Sequence, residues 1–271
     1  MTDRASTSGW RALIAAFSER DQALKCSAVA ELATPTGAWP PSLGNQPTVE
    51  QPGRPAAPVL VPARDVPRRR LGTEAGRAAL LHAIAHIEFS AINLALDAVL
   101  RFPEMSEEYR ADWLSVARDE ARHFTMLADR MQSLGMTYGD LPAHDGLWQA
   151  AVLTADDVLA RMAVVPRVLE ARGLDVTPGM IARLKSAGDT ESADILETIL
   201  EEEVRHVWLG SKWFRRICQS RRIDPKQTFL QCLEDYLPGH SYHGLNEPAR
   251  KAAGFLDSEL TGLRAISPAR A

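Results

Sequence analysis

EEEVRHVWLG, residues 201–210, decides how this chain is read. It sets three carboxylates, an arginine and a histidine between two apolar runs, ADILETIL and VWLGSKWF. On a helical wheel the apolar stripe runs through Leu196, Ile199, Leu200, Val207, Gly210, Trp213, Phe214 and Ile217. Steps of three and four along that stripe fall on Glu203 and His206, whereas Glu201 and Glu202 lie off its centre. One carboxylate and the histidine are therefore expected to face a core.

The same arrangement recurs upstream. A second stripe, Trp113, Val116, Ala117, Phe124, Leu127, Met131 and Leu134, has Glu120 and His123 at its middle. A third, Leu81, Ile84, Ala85, Ala91, Ile92, Ala95 and Val99, is centred on Glu88, and a fourth, Leu159, Met162, Ala163 and Pro166, leads to Glu170. The order is Glu88, Glu120-x-x-His123, Glu170, Glu203-x-x-His206, with 32 residues between the first two carboxylates and 33 between the last two. Glu88 lies about 22 Å of helix before the turn at Pro103, and Glu120 about 20 Å after Glu107, at about 1.5 Å per residue. An antiparallel pair thus brings both carboxylates to one level.

The helical period dominates from Gly76 onward, and strand alternation is nearly absent. Long helices are expected at about 74–102, 106–134, 155–173 and 189–222, with shorter ones at about 178–187, 225–236 and 247–264. ARGLDVTPG reads as a tight connection after the third long helix, and GMTYGDLPAHDGLWQAAVLTADD as a longer passage between the second and third. Ahead of them come two short helical stretches, WRALIAAF and DQALKCSAVAEL, and a segment from Thr34 to Pro67 with nine of the seventeen prolines. That segment cannot sustain a helix and reads as an arm laid over the surface, or a linker. The chain is accordingly divided into residues 1–67, helices and arm, and residues 68–271, a bundle with C-terminal helices. Four long helices with a long middle connection are what a bundle with one crossover requires.

A single Glu-x-x-His on a helix is common, and alone says little. Four buried carboxylates without counter-charge would cost several kcal/mol each. Two dications would neutralise them, and six protein ligands (Glu88, Glu120, His123, Glu170, Glu203 and His206) leave coordination positions open. Carboxylate oxygens and imidazole nitrogens suit iron or manganese. DEARH (119–123) and EEVRH (202–206) share an acid-Glu-x-Arg-His pattern. Asp119 and Glu202 are candidate acceptors for the ligand imidazoles, with Arg122 and Arg205 balancing them, or all four form surface pairs along their helices. In DLPAHDGLW, His144 and Asp145 either line a mouth or make a turn, the turn being favoured. His82 and His86 are read as helix–helix contacts, His240 and His243 as a solvated loop, and Pro166 as a kink one turn before Glu170.

The net charge of −4 gives no bulk electrostatic case for nucleic acid or an anionic membrane, although Arg68-Arg69-Arg70 and the arginines at 215–222 form local basic clusters. Three scattered cysteines exclude a Cys-x-x-Cys metal site and suit a reducing compartment. No signal peptide or span of about 18 apolar residues is read, so a cytoplasmic protein without a membrane partner is expected.

With these residues the sequence resembles the ferritin-like di-iron carboxylate superfamily. It is most similar to a bacterial family of that superfamily of unknown function, neighbour to the tRNA-modifying di-iron hydroxylases. VPRRRLGT, HAIAHIEFSAINLALD, DEARHF, YGDLPAHDGLW, VVPRVLEARGLDVTPGMI and EEEVRHVWLGSKWF carry the likeness. It implies an all-α, ferritin-like four-helix bundle, with additional N- and C-terminal helices and the Pro-rich arm, and the same six metal ligands. Glu202-Glu203 stands where that family often has Asp-Glu, and YHGLN where it usually has Pro-Phe-Asn. The doubled acid-Glu-x-Arg-His also resembles the metal-binding helices of bacterial multicomponent monooxygenases.

The resemblance implies an enzyme, a non-haem di-iron oxidoreductase of the oxygen-activating hydroxylase or oxidase type. Its cofactors would be two iron ions, with manganese as the alternative metal, and dioxygen or peroxide the co-substrate. Electrons would come from a separate ferredoxin or reductase, because no Cys-rich electron-transfer domain is present. The substrate would be a small molecule or, by family neighbourhood, a tRNA base, and the protein a homodimer if it assembles at all. The alternative is a metal-handling protein, a ferroxidase or peroxide scavenger without an organic substrate; a third reading is a binding module with structural metal.

Overall fold

The computed structural model describes residues 2–43, 51–66 and 71–267. Residues 44–50 of the expected arm and the Arg68-Arg69-Arg70 cluster lie outside the described residues. Within them every regular element is helical, and the extended pairing is one isolated bridge between Leu60 and Ala143. The chain falls into two units, Met1–Trp148 and Gln149–Ala271.

The first unit holds α1 (Thr2–Ser18), α2 (Gln22–Ala30), α3 (Glu74–Arg101) and α4 (Glu107–Ser133). Asp21, Thr73 and Ser106 cap the last three, each side chain accepting a backbone N–H of the first turn. Phe102-Pro103 ends α3, since proline disfavours helix in the residue before it, and the chain turns straight back into α4. α3 is buried without a break from Glu88 to Leu100. Among the described residues it alone is long and apolar enough to cross a membrane, yet 83% of its apolar window is buried inside the protein, as a core helix requires.

Lys25 of α2 enters this core. Its Nζ donates to the Phe17 carbonyl at 2.9 Å and to Asn93 Oδ1 at 2.5 Å, between the rings of Phe17 and Phe89. Burial lowers its pKa to about 7. Between that value and the ordinary 10.5 the unfolded chain holds the proton and the folded chain does not. Stability should therefore rise with pH across this window, by about 1.4 kcal/mol per pH unit at most. Lys25→Met is expected to flatten that rise, measured as urea midpoints of variant and parent from pH 6.5 to 9.

The described part of the arm is pinned to this unit. Gly53 N–H donates to the Phe17 carbonyl at 2.9 Å, and a Cβ at Gly53 would lie 2.2 Å from the carbonyl oxygens of Ser18 and Glu19, so no other residue fits there. Arg54 pairs with Asp145 at 2.6 Å and lies over Trp148. Val61 donates to Ala143 at 2.8 Å, and Ala143 donates to Val59 at 3.0 Å.

The second unit differs from expectation in its first helix. The expected helix at 155–173, the connection ARGLDVTPG and the short helix at 178–187 are one continuous rod: α6 (Val158–Val164), a π-helical segment (Val165–Glu170) and α7 (Ala171–Ser186), with Pro178 inside it. Proline at 178 cannot donate to the Leu174 carbonyl. Asn246 Nδ2 donates to that carbonyl instead, at 3.1 Å. Arg250 grips the next residue, Asp175, at 2.9 and 2.7 Å in a fully buried pair. The expected connection is thus held helical by contacts more than 70 positions away in sequence.

The other elements are α8 (Thr190–Arg221), α9 (Pro225–Tyr236), α10 (Glu247–Ala252) and α11 (Asp257–Ile266). The last two replace the single helix expected at 247–264, broken at Gly254 with φ of 88°. An unexpected short helix, α5 (Gly146–Leu153), lies within the passage read as a connection. α7 and α8 form a hairpin through Gly188, with Lys185 paired to Glu197 at one end and Pro166 facing Gly210 further along.

Candidate metal centre

In the first unit the α3–α4 hairpin brings Glu88, Glu120 and His123 together. All three are buried, His123 completely. Each offers one ligand atom, and these atoms lie within 4.8 Å of one another. His123 Nδ1 is 3.1 Å from Glu88 Oε2 and 3.6 Å from Glu120 Oε2. The rings of the next residue on each helix, Phe89 and Phe124, pack at 5.4 Å beside them.

Two carboxylates so placed cannot both ionise freely. Burial and then the charge of Glu120 raise the Glu88 pKa well above the ordinary carboxylate range. Burial opposes charge on His123, but its hydrogen bonds to Glu120 and Glu88 push its pKa up to about 11. The group thus shares protons where a cation would take their place.

The second unit repeats the Glu-x-x-His element. His206 is completely buried, and its Nδ1 lies 3.4 Å from Oε1 of the half-buried Glu203. Glu170, also half-buried, is the last residue of the π segment. Pro166 lacks the N–H for a regular bond, and the Ala171 N–H reaches five residues back to the Pro166 carbonyl. The expected kink is this π turn. Since Pro166 faces Gly210 and Arg167 Nε donates to Ser211 Oγ at 3.3 Å, the antiparallel register sets Glu170 level with His206.

Gly210 permits that register. A Cβ there would lie 2.5 Å from Cβ and Cγ of the Pro166 ring. Gly210→Ala is expected to push α8 away from the π segment and destabilise the unit by about 1–3 kcal/mol. The check is a lower denaturation midpoint, with less loss when Pro166→Ala is added.

The remaining candidates lie further out. Arg122 pairs with Asp119 at 3.4 Å on the solvent side of α4. Glu202 is half-buried and Arg205 exposed. His144 is exposed, its Nδ1 accepting the Gly146 N–H at 3.2 Å in a turn, and Asp145 is held by Arg54. His86 bonds to Tyr138 and to the His144 carbonyl, both outside the helices, and the His240 ring packs at a tilt against Tyr242. Sequence reasoning passed over Arg167, Arg250 with Asp175, Glu259 and Lys25, all buried. The available signal was a charged residue inside an apolar run, as in AVVPRVL.

Residues 12–261 match the model of a family described as "Protein of unknown function (DUF455)". A relative from Haemophilus influenzae, described as an uncharacterized protein, is 44% identical over 213 residues, covering 76% of this chain and 74% of its own. No solved structure matches the chain.

Proposed function

We propose that this chain, which belongs to the DUF455 family of proteins of unknown function, is a non-haem di-iron oxidoreductase acting on an organic substrate. The α3–α4 hairpin and the hairpin of the π-interrupted rod with α8 would be the halves of a ferritin-like four-helix bundle. Glu88, Glu120 and His123 from one half, and Glu170, Glu203 and His206 from the other, would hold two cations.

The observation that carries this reading is the burial of Glu88, Glu120 and His123 with their ligand atoms within 4.8 Å of one another. A cation there offsets a desolvation cost that neighbouring carboxylates otherwise meet by binding protons. Oxygen and imidazole donors without thiolate fit iron or manganese better than a structural zinc. Bound iron would supply electrons and open coordination positions for dioxygen or peroxide. The protein's own residues fix the geometry: Nδ1 of the buried His123 faces both carboxylates, and the rings of Phe89 and Phe124 pack against each other on the two helices that carry the ligands. Electrons would come from a separate ferredoxin or reductase in the reducing cytoplasm, and a small molecule is favoured over a tRNA base by the net charge of −4.

The test is elemental analysis of protein purified from iron-replete cells, followed by reduction and mixing with oxygen. About two irons per chain and a fast absorbance change are expected. A metal-free protein, or one zinc per chain, would sink the reading. Turnover of ferrous ion far beyond the bound metal, with no organic product, would favour metal handling instead.

A further inference from the structure

The described part of the Pro-rich arm roofs a cavity of about 330 Å³ on α3. Arg54, His86, Phe89, Ser90 and Tyr138 line it, together with apolar residues between 55 and 60. His86 and Ser90 are one turn apart, and each lies about 200° around the helix from Glu88, at about 100° per residue. The cavity therefore uses the opposite face of α3 from the candidate metal ligand.

Its polar groups are largely committed. His86 Nε2 lies 3.2 Å from the His144 carbonyl and so carries the proton; Nδ1 then accepts the Tyr138 O–H at 2.9 Å. The Ser90 O–H donates to the His86 carbonyl at 2.8 Å. A ring that donates through Nε2 and accepts through Nδ1 is the neutral form of histidine. Arg54 is the one cation in the lining, and no carboxylate lines the cavity among the described residues. Its Nη1 is spent on Asp145, outside the lining, while Nε and Nη2 have no hydrogen bond among the described residues. An amine would meet a guanidinium and no acid, and a sugar would find few free partners. Apolar walls with one cationic donor suit an anion on a small apolar body. The volume is at the low end for small-molecule sites, about 300–1,000 Å³, so one ring or a short chain fits.

We propose that this cavity binds a small apolar monocarboxylate, with Arg54 receiving the carboxylate and the wall of Phe89, Tyr138 and the arm's prolines enclosing the body. The guanidinium would share itself between Asp145 and the ligand, tightening the arm onto α3 when the ligand is bound.

The experiment is calorimetric titration of metal-depleted protein, so that failure of the di-iron reading leaves the result intact. Benzoate tests a ring, hexanoate a chain, and benzamide a neutral body of the same shape. Saturable binding of either carboxylate is expected, with benzamide, and the Arg54→Met variant with the carboxylate, each at least about ten-fold weaker. Ser90→Leu, which fills the cavity and leaves the arm's anchors alone, should abolish binding, and near-UV circular dichroism confirms that both variants fold. No saturable heat with either carboxylate, equal binding of benzamide, or undiminished binding to Arg54→Met would overturn the proposal.

Discussion

Glu259→Gln is expected to lower the stability of the second unit by about 3–5 kcal/mol, the cost of leaving a buried charge without its partner. Arg167, in the π segment, is completely buried. Its guanidinium is ringed by Phe214, Phe229 and Phe255 at 4.7, 4.0 and 4.7 Å. Nη2 donates to Glu259 Oε1 at 2.7 Å, and Nη1 has no hydrogen-bond partner among the described residues. The aromatic faces attract a cation but contribute only about 2 kcal/mol when desolvated, less than the carboxylate. Glutamine keeps the shape, and its amide oxygen can still accept from Leu256, as Glu259 Oε2 does at 2.9 Å. The loss should therefore report charge rather than packing. Urea denaturation measures it, and Arg167→Met combined with Glu259→Met should recover most of it, because an apolar pair leaves no stranded charge. A single-variant loss within about 0.5 kcal/mol, the scale of an unremarkable surface substitution, would show that the pair is not the anchor described.

Glu120→Gln should have opposite effects with and without metal. In metal-free protein Glu88 and Glu120 compete for protons beside His123. Removing one carboxylate relieves that competition, so the melting temperature should stay level or rise. The parent should gain about 2.7 kcal/mol at a metal concentration a hundred times the dissociation constant, and the variant should gain almost none. Thermal melts of both proteins, with chelator and with ferrous or manganous ion, decide it. A variant that melts lower than its parent in chelator, yet gains as much from metal, would mean that Glu120 is a packing residue.

Some of this was legible in sequence for a physical reason. Glu88, Glu120, His123 and His206 interrupt apolar stripes at helical spacing, and all four are buried. The starts of α3, α4, α8 and α9 were legible because Thr73, Ser106, Asp189 and Asp224 cap them locally. Pro178 misled because the groups that compensate it, Asn246 and Arg250, are remote in sequence. Likewise, nothing near Gly53 announces that the carbonyls of Ser18 and Glu19 press against it. Local rules read local causes, and the arm and the long rod owe their conformations to distant ones.

The π segment Val165–Glu170 has a consequence for how insertions and deletions are tolerated. A helix that closes its bonds five residues back holds one residue more than a regular helix of the same length. Excising a single residue between Arg167 and Glu170 would let the rod rewind as ordinary α-helix with the length and facing of both flanks nearly kept, because the π turn already absorbs the surplus residue, and the angle between those two side chains is what would change. Arg167 could then keep its aromatic cage only if Glu170 swung away from the level of His206. The surplus residue is what allows anchor and candidate ligand to coexist on one rod.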